Sequence, residues 1–89
     1  MAKRGKLEII KDILKIIQDS NNHIKFTPLL RRSQLSSARF KEYYIDLLQR
    51  NFIREISNGN NKHVTLTEKG FRFIEKYRTI INFIDEFEL

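Results

Sequence analysis

Large apolar residues recur along the chain at the three- and four-residue spacing that is typical of helices. Between residues 6 and 20, the stripe consists of Leu7, Ile9, Ile10, Ile13, Leu14, Ile16 and Ile17. Lysine and aspartate residues fall largely on the opposite side of this segment. The pattern predicts a first amphipathic helix that ends at the turn-prone Ser-Asn-Asn of residues 20–22.

The middle of the chain predicts a very short strand followed by two helices. Residues 23–26 alternate polar with apolar side chains, as strands do. Thr27-Pro28 then predicts a helix start, because threonine can cap free amides and proline is pre-organised for the first helical position. That helix is short, since a serine-rich stretch follows it. Ser36 is expected to cap a further helix that runs to about Asn51 and buries Phe40, Tyr44, Leu47 and Leu48.

Only a few residues connect these two helices, so they must cross steeply, as in a helix-turn-helix. Two strand-like segments, 52–56 and 62–66, flank an Asn-Gly turn and predict a β-hairpin. Thr67 is expected to cap a final helix that extends toward the end of the sequence. With no internal repeat and no linker, residues 1–89 are predicted to form one α+β, mostly α domain.

Positive charge is unevenly distributed along this pattern. The 89 residues include 17 Lys and Arg against 11 Asp and Glu, which gives a net charge of +6. Such a balance is typical of nucleic-acid binding, although an acidic protein partner, an anionic membrane surface or a solvated surface would also fit it. The stretch between Asp19 and Glu42 has no acid, and it contains Arg31, Arg32, Arg39 and Lys41.

Several classes of function find no support in the sequence. The absence of cysteine excludes disulfides and thiolate catalysis, and His23 and His63 lack carboxylates at metal-ligand spacing. Among three glycines there is neither a phosphate-binding loop nor a Gly-x-Ser-x-Gly turn. No apolar run approaches the ~20 residues that span a bilayer. We therefore expect no enzyme, cofactor, metal, small-molecule substrate or membrane insertion, and a cytoplasmic location.

Two segments, LSSARFKEYYIDLLQRNFI and HVTLTEKGFRFIEKY, resemble the archaeal winged-helix DNA-binding proteins, several of which are small, basic and chromatin-associated. The similarity covers nearly the whole chain. It consists of a Leu-Ser before the recognition helix, an aromatic–aliphatic pair with a leucine one turn later, and a Leu-Thr-x-x-Gly that begins the last helix. The matching residues are Leu35-Ser36, then Tyr43, Tyr44 and Leu47, then Leu66, Thr67 and Gly70.

The resemblance implies a winged helix-turn-helix: helix, short strand, helix, helix, β-hairpin wing and a long C-terminal helix. It also implies a transcriptional regulator or chromatin-associated protein that binds double-stranded DNA as a homodimer, with its recognition helix in the major groove. The alternative is a winged-helix module that docks acidic protein partners without touching DNA. Salt-sensitive binding of duplex DNA would distinguish the two.

Several residues around the recognition helix are expected to contact DNA. Arg39 and Lys41 are predicted to meet base edges or phosphates, and ordinary surface charge is the alternative for both. Ser36 and Ser37 lie at the positive end of the helix dipole, where hydroxyls and amides can bind a phosphate. With the apolar stripe turned inward, the outer face of this helix carries Ala38, Lys41, Glu42, Ile45 and Gln49, with Arg39 on its flank.

Two of these outward positions are unusual on a surface that faces DNA. Glu42 could accept a hydrogen bond from a cytosine amino group, but an acid more often pairs with a nearby cation. Ile45 would be an apolar side chain in solvent, which is also what a helix rotated away from this orientation would produce.

The neighbouring elements are expected to position the recognition helix on the duplex. Arg31 and Arg32 on the preceding short helix suit phosphate contacts beside the groove. On the hairpin, Arg54, Lys62 and His63 could reach a neighbouring phosphate or the minor groove. The alternative for the Asn-Gly segment is a simple turn with no role in binding.

The last helix is expected to make the dimer. Phe73, Tyr77, Ile80, Ile84 and Phe87 repeat at the alternating four- and three-residue spacing of a coiled-coil seam. Residues 77–89 are therefore predicted to be a dimerisation extension, with contacts through Tyr77, Ile80, Ile84 and Phe87. The alternative is that this helix folds back onto residues 7–17. Residues 1–5 are predicted to be a flexible basic arm, or simply a frayed terminus.

Overall fold

Four helices and a two-stranded antiparallel sheet follow one another in the computed structural model, which describes residues 4–89. The elements are α1 (Lys6–Asp19), α2 (Phe26–Ser33), α3 (Ser37–Gln49), β1 (Ile53–Asn58), β2 (Asn61–Leu66) and α4 (Glu68–Glu86). Apart from the short strand expected before α2, this is the predicted order. The α+β, mostly α class with a winged helix-turn-helix arrangement is confirmed.

Helix α1 supplies the centre of the core and packs against α2, β2 and α4. Its apolar stripe is buried as predicted, except that Ile16 is only partly buried and Leu7 is 60% exposed. Leu7 lies in the first turn of α1, beyond the elements that cover the rest of the stripe. The buried apolar side chains are Ile9, Ile10, Ile13, Leu14, Ile17, Ile24, Leu29, Phe40, Tyr44, Leu47, Ile53, Val64, Leu66 and Ile74.

Helix α2 begins one residue before the predicted capping residue, so that prediction was wrong. Its N-cap is Lys25, whose side chain makes no capping bond, and Thr27 lies inside the first turn. Pro28 is tolerated there because the first amides of a helix have no acceptor within the helix. The ring of Phe26 packs edge-on against Phe40, with ring centroids 5.2 Å apart, and this burial favours a helix that already includes Phe26.

The turn between α2 and α3 is fixed by a buried serine. The Ser33 hydroxyl donates to the carbonyl of Leu30 (2.6 Å) and accepts from the amide of Leu35 (3.3 Å). Gln34, which lies between Ser33 and Leu35, takes the left-handed conformation (φ 60°) that ends α2. These bonds satisfy the polar groups of the turn and set the direction in which α3 leaves it.

The hairpin pairs in register from Ile53 with Leu66 to Asn58 with Asn61. Its turn contains Gly59 at φ 66°, so the positive φ that a tight hairpin demands falls on glycine. The predicted strand before α2 reduces to one bridge, in which Ile24 and Val64 exchange both backbone hydrogen bonds (3.3 and 2.7 Å). This bridge attaches the α1–α2 loop to the outer edge of β2.

Helix α4 starts close to the end of α3. The Thr67 hydroxyl accepts from the amide of Gly70 (3.2 Å), which confirms the predicted cap, and donates to the carbonyl of Asn51 (2.5 Å). A Cβ at Gly70 would overlap the carbonyl oxygen of Phe52, so only glycine lets the first turn of α4 approach this backbone. This close approach explains the glycine of the Leu-Thr-x-x-Gly motif.

The two halves of α4 differ in their surroundings. Ile74 is buried against the body, and Tyr77 is half-buried. Beyond Tyr77 the large apolar side chains are mostly exposed, and the longest dimension of the molecule reaches 50 Å. Within residues 4–89, no helix is long and apolar enough to cross a bilayer. The second half of α4 therefore extends beyond the core with an apolar side uncovered.

Candidate nucleic-acid interface

Helix α3 presents the face that the sequence predicted. Phe40, Tyr44 and Leu47 are buried, so the orientation of the helix is as expected. Ile45 is 53% exposed, which shows that the helix is not rotated to bury it. The predicted outward side chains are all exposed, namely Ala38, Arg39, Lys41, Glu42, Ile45 and Gln49.

The start of α3 offers both hydroxyls and helix amides. The Ser36 oxygen accepts from the amide of Arg39 (3.2 Å), as an N-cap does, and this leaves the hydroxyl hydrogen of Ser36 for an outside acceptor. Ser37 is also exposed, in the first turn of the helix. The positive end of the helix dipole therefore reaches the surface beside two serines, as phosphate binding requires.

The cations of α2 and α3 differ in how they are held. Within residues 4–89, no carboxylate lies within ion-pair distance of Arg31, Arg39 or Lys41, and all three are exposed. Arg32 instead donates from Nη1 to the Ser20 hydroxyl (2.7 Å) and is thereby held at the end of α1. Three positive charges therefore remain available on the outer surface of the helix-turn-helix.

An open groove separates the outer side of α3 from the beginning of α1. It is lined by Lys6, Arg39, Glu42, Tyr43 and Asp46. Asp46 forms an ion pair with Arg50, with Oδ1 and Nε 2.8 Å apart, whereas Glu42 has no such partner among residues 4–89. One acid on this side of α3 is therefore neutralised by its own helix, and the other is not.

Residue 4 of the predicted basic arm is held against the body. The guanidinium of Arg4 donates to the Asp12 carboxylate and to the carbonyl of Ser33, both at 3.0 Å. Burial acts to raise the pKa of Asp12, but hydrogen bonds from Lys11 and Arg4 outweigh it, and that pKa is lowered. Arg4 thus connects α1 to the end of α2 and is not part of a flexible arm. Residues 1–3 of the predicted arm lie outside the described residues.

The recognition helix and the wing are joined by a residue that the sequence did not single out. Glu55 accepts from the Tyr44 hydroxyl at 2.5 Å and lies 3.4 Å from Nζ of Lys62. Burial, and then the hydrogen bond to Glu55, raise the pKa of Tyr44, so its phenol remains a donor. A buried tyrosine in the α3 stripe does need a partner for its hydroxyl, which is the one signal that pointed here.

The three predicted wing residues do not share a face of the hairpin. Side chains alternate along a strand, so Lys62 lies on the side of Glu55, whereas His63 lies on the opposite side with Arg54. The ring of His63 contacts that of His23, with centroids 3.8 Å apart. Desolvation and then the charge of His23 lower the pKa of His63. Arg54 is exposed and has no ion pair within residues 4–89.

The predicted dimer contacts lie at the other end of the molecule. Tyr77 stacks on Phe73 (centroids 6.2 Å apart), and Nζ of Lys11 lies 5.6 Å above its ring. Ile80 is 55% and Phe87 58% exposed, while Ile84 is half-buried. The alternative of a helix folded back along α1 therefore holds only for the first half of α4. In the second half, the predicted seam is exposed at Ile80 and Phe87 and partly exposed at Ile84.

Comparison with protein families gives one match that spans almost the whole chain. The family described as winged helix-turn-helix matches residues 3–85. Among curated protein sequences, none matches the chain significantly.

Solved structures share the fold at low sequence identity. Sso10a-2, a DNA-binding protein from Sulfolobus solfataricus, superimposes with a TM-score of 0.75 at 19% identity, over 96% of this chain and 86% of that one. F93 from STIV, a winged-helix DNA-binding protein, gives 0.73 at 19% identity, over 89% and 91%. F-93 of SSV1 gives 0.66 at 24% identity, over 96% and 99%. At these identities the superpositions show the fold alone.

Proposed function

The chain belongs to the winged helix-turn-helix family, and from this premise we propose that it binds double-stranded DNA with α3 in the major groove. The observation that carries the proposal is the outer face of α3, which is exposed and which no element within residues 4–89 covers. Arg39 and Lys41 border this face, and in the same residues neither has a carboxylate partner. Two structural relatives, Sso10a-2 and F93, are DNA-binding proteins, which supports the same reading. The protein would act in the cytoplasm as a binding protein and not as an enzyme.

Each cationic element has a distinct part in this proposal. Arg39 and Lys41 border α3 and would meet phosphates on the walls of the groove, with Ser36 and Ser37 adding donors at the helix start. Arg31 on α2 would hold a phosphate beside the groove. Arg32 would contact the same phosphate only after breaking its 2.7 Å hydrogen bond to Ser20 at the end of α1. Contacts of this kind position the protein on DNA of any sequence.

The hairpin would add a smaller contribution as the wing. Arg54 and Lys62 are both exposed but point to opposite sides, so a single DNA backbone would contact one of them at a time. His63 lies with Arg54 and would accompany it. Replacing Arg54 and Lys62 singly by alanine should weaken binding to all duplexes alike, and the larger loss would identify the side of the wing that faces DNA.

Binding of a random-sequence duplex, followed by fluorescence anisotropy at several salt concentrations, tests the proposal. The wild type should lose affinity steeply with salt. Arg39→Ala combined with Lys41→Ala should reduce the slope of log affinity against log salt by about 1.8, or about 0.9 for each phosphate that the variant no longer neutralises. The matched control is Arg72→Ala with Lys76→Ala, which removes the same charge from exposed positions of α4.

Equal binding by the Arg39 and Lys41 double variant and the wild type, with native circular dichroism, would refute the assignment of α3. A wild-type protein that shifts no duplex even at low salt would favour the alternative, a winged-helix module for acidic protein partners. The control variant distinguishes a local contact from a general effect of net charge, because both doubles carry two fewer positive charges.

We further propose that two chains pair through the second half of α4. Ile80, Ile81, Phe83 and Phe87 are 38–58% exposed, and soluble monomers rarely leave such an apolar patch uncovered. The seam of Tyr77, Ile80, Ile84 and Phe87 would face the partner. A two-fold pair would hold two copies of α3 at a fixed separation and favour sites with paired half-sites.

Sedimentation velocity at tens of micromolar would test this pairing. The wild type should sediment as a dimer, and Ile80→Glu with Ile84→Glu should sediment as a monomer that retains weak half-site binding. Thr79→Glu with Asn82→Glu is the matched control, because it adds the same charge on the opposite side of α4. A wild-type monomer under these conditions would refute the pairing without affecting DNA binding by the single domain.

A further inference from the structure

The part of α3 that lies farthest from the core carries no positive charge. With about 100° between successive residues, four side chains point most directly away from the buried stripe. We call them the outer ridge: Ala38, Glu42, Ile45 and Gln49, all of them exposed. The cations lie beside this ridge, since Arg39 and Lys41 fall on its two opposite flanks.

This division corresponds to the two kinds of surface that a major groove presents. Phosphates line the walls, and base edges form the floor. A helix that enters the groove with its ridge foremost places Arg39 and Lys41 at the walls and the outer ridge at the floor. The residue types on the ridge therefore indicate what the floor would have to offer.

Glu42 is costly for a protein that binds every sequence equally. It has no ion-pair partner within residues 4–89, so its charge would face the negative duplex uncompensated. On the groove floor the donors are the amino groups of cytosine and adenine, and a carboxylate is better suited to cytosine, because the N7 acceptor of adenine lies beside its amino group. Elsewhere it is repelled, and so it discriminates between base pairs.

Ile45 points to the floor for a different reason. At 53% exposure it contributes little to the core, and its apolar surface stays in water until something covers it. The thymine methyl is the apolar group that base pairs present in the major groove. Because Ile45 lies one turn after Glu42 on the same ridge, both would lie over neighbouring base pairs.

We propose that α3 reads sequence through its outer ridge, with Ile45 against a thymine methyl and Glu42 accepting from a cytosine amino group. The inference rests on the proposed DNA binding and deepens it. It makes the protein a sequence-specific reader, whose ligand is a duplex with thymine and cytosine at adjacent positions, and not a protein that coats DNA of any sequence.

Selection of duplexes from a random pool, followed by sequencing, would provide the preferred site and the first test. Each thymine of that site is then replaced by deoxyuridine, which removes the methyl group and keeps the base pairing. One replacement should weaken wild-type binding about three- to fivefold, the effect of one buried methyl group. Ile45→Ala should bind the thymine site as weakly and should no longer respond to that replacement.

Glu42→Gln supplies an independent readout that does not depend on Ile45. It should bind random duplex more tightly than the wild type, because a repulsive charge has gone. Its preference at one cytosine of the site should relax toward adenine, because the glutamine amide can both accept and donate a hydrogen bond. Glu75→Gln, an exposed acid on α4, is the matched control and should change neither quantity.

The outcomes separate the inference from the function on which it rests. Salt-dependent binding with no consensus after selection, and with no effect of deoxyuridine, would overturn sequence reading and leave DNA binding in place. The absence of binding to any duplex would overturn both. A consensus whose preferences are unchanged in Ile45→Ala and Glu42→Gln would show that other residues read it and would overturn the assignment to the outer ridge.

Discussion

Replacing Gly70 with alanine would put a methyl group where the first turn of α4 meets the backbone of Phe52, just before β1. The added Cβ would overlap the carbonyl oxygen of Phe52 and lie 3.3 Å from a methyl of Leu66. Leu66 is a side chain and can adjust, but the Phe52 carbonyl is backbone. It also accepts from the amide and the hydroxyl of Thr67, both at 3.2 Å. Relief of the overlap therefore requires the start of α4 to move away from these bonds.

The expected cost follows from two opposing contributions. Overpacking of a rigid site costs about 1–3 kcal/mol, and the upper end applies because hydrogen bonds of about 1 kcal/mol each weaken as the Phe52 carbonyl shifts. Alanine regains up to about 1 kcal/mol over glycine through its helix propensity. The net loss for Gly70→Ala is thus about 2 kcal/mol in the free energy of unfolding, or roughly 10 °C in Tm for a domain of this size.

Urea unfolding followed by circular dichroism measures this loss, which should appear as a lower midpoint at an unchanged m value. Gly5→Ala is the matched control, because a Cβ at Gly5 meets no atom within 4 Å, and its effect should stay below about 1 kcal/mol. If Gly70→Ala were as stable as the wild type, the first turn of α4 would not be held against Phe52, and the explanation of the glycine motif would be wrong.

Three further predictions concern other contacts. Because desolvation and His23 lower the pKa of His63 below 6.5, the folded protein binds a proton there less readily than the unfolded chain. That contribution to stability is complete above pH 6.5 and is lost as pH falls through the lowered pKa. Urea unfolding from about pH 7.5 to about pH 5 should therefore depend less on pH in His63→Gln, and an unchanged dependence would contradict the contact. Ser36→Ala should cost about 1 kcal/mol in urea unfolding and Ser36→Gly only a few tenths, and equal losses would show that the capping bond is not what matters. Tyr44→Phe should cost about 1 kcal/mol, because Glu55 loses a donor yet stays partly hydrated, and a fully stable variant would show that the bond to Glu55 contributes nothing.

The elements that could be predicted from the sequence are those with short-range causes. The α3 stripe is set by the spacing of its own residues, and Ser36 and Thr67 cap helices through amides only three residues away. The hairpin turn follows from Gly59, whose positive φ is a property of glycine itself. Where the cause of a feature lies within one turn or one strand, residue type and spacing are sufficient to predict it.

Features that depend on distant residues were not predictable in this way. The start of α2 depends on the packing of Phe26 against Phe40, which outweighed the local capping preference of Thr27. The contact between His23 and His63 joins residues far apart in the sequence and exists because the α1–α2 loop pairs with β2. Such contacts follow from topology, and neither spacing nor composition contains them.

The candidate site shows the same division. The apolar stripe of α3 was sufficient to predict which of its side chains face outward. It was not sufficient to predict that Arg39 and Lys41 would remain available for phosphates. That availability depends on which side chains of other elements lie nearby. Arg32 and Lys62 are also cationic, but Arg32 donates to Ser20 and Lys62 lies beside Glu55.

The uncovered second half of α4 also determines how its own backbone behaves. Beyond Tyr77 the helix has little tertiary packing, and an isolated helix of on the order of ten residues is marginal in water. In a single chain, the amide protons of this segment are therefore protected only by the helix itself and exchange through local fraying. Burial of the apolar side also supplies the free energy that stabilises the helical conformation of this segment. Helix formation in this segment and the covering of its apolar side are consequently one equilibrium, in which helical content rises as covering proceeds.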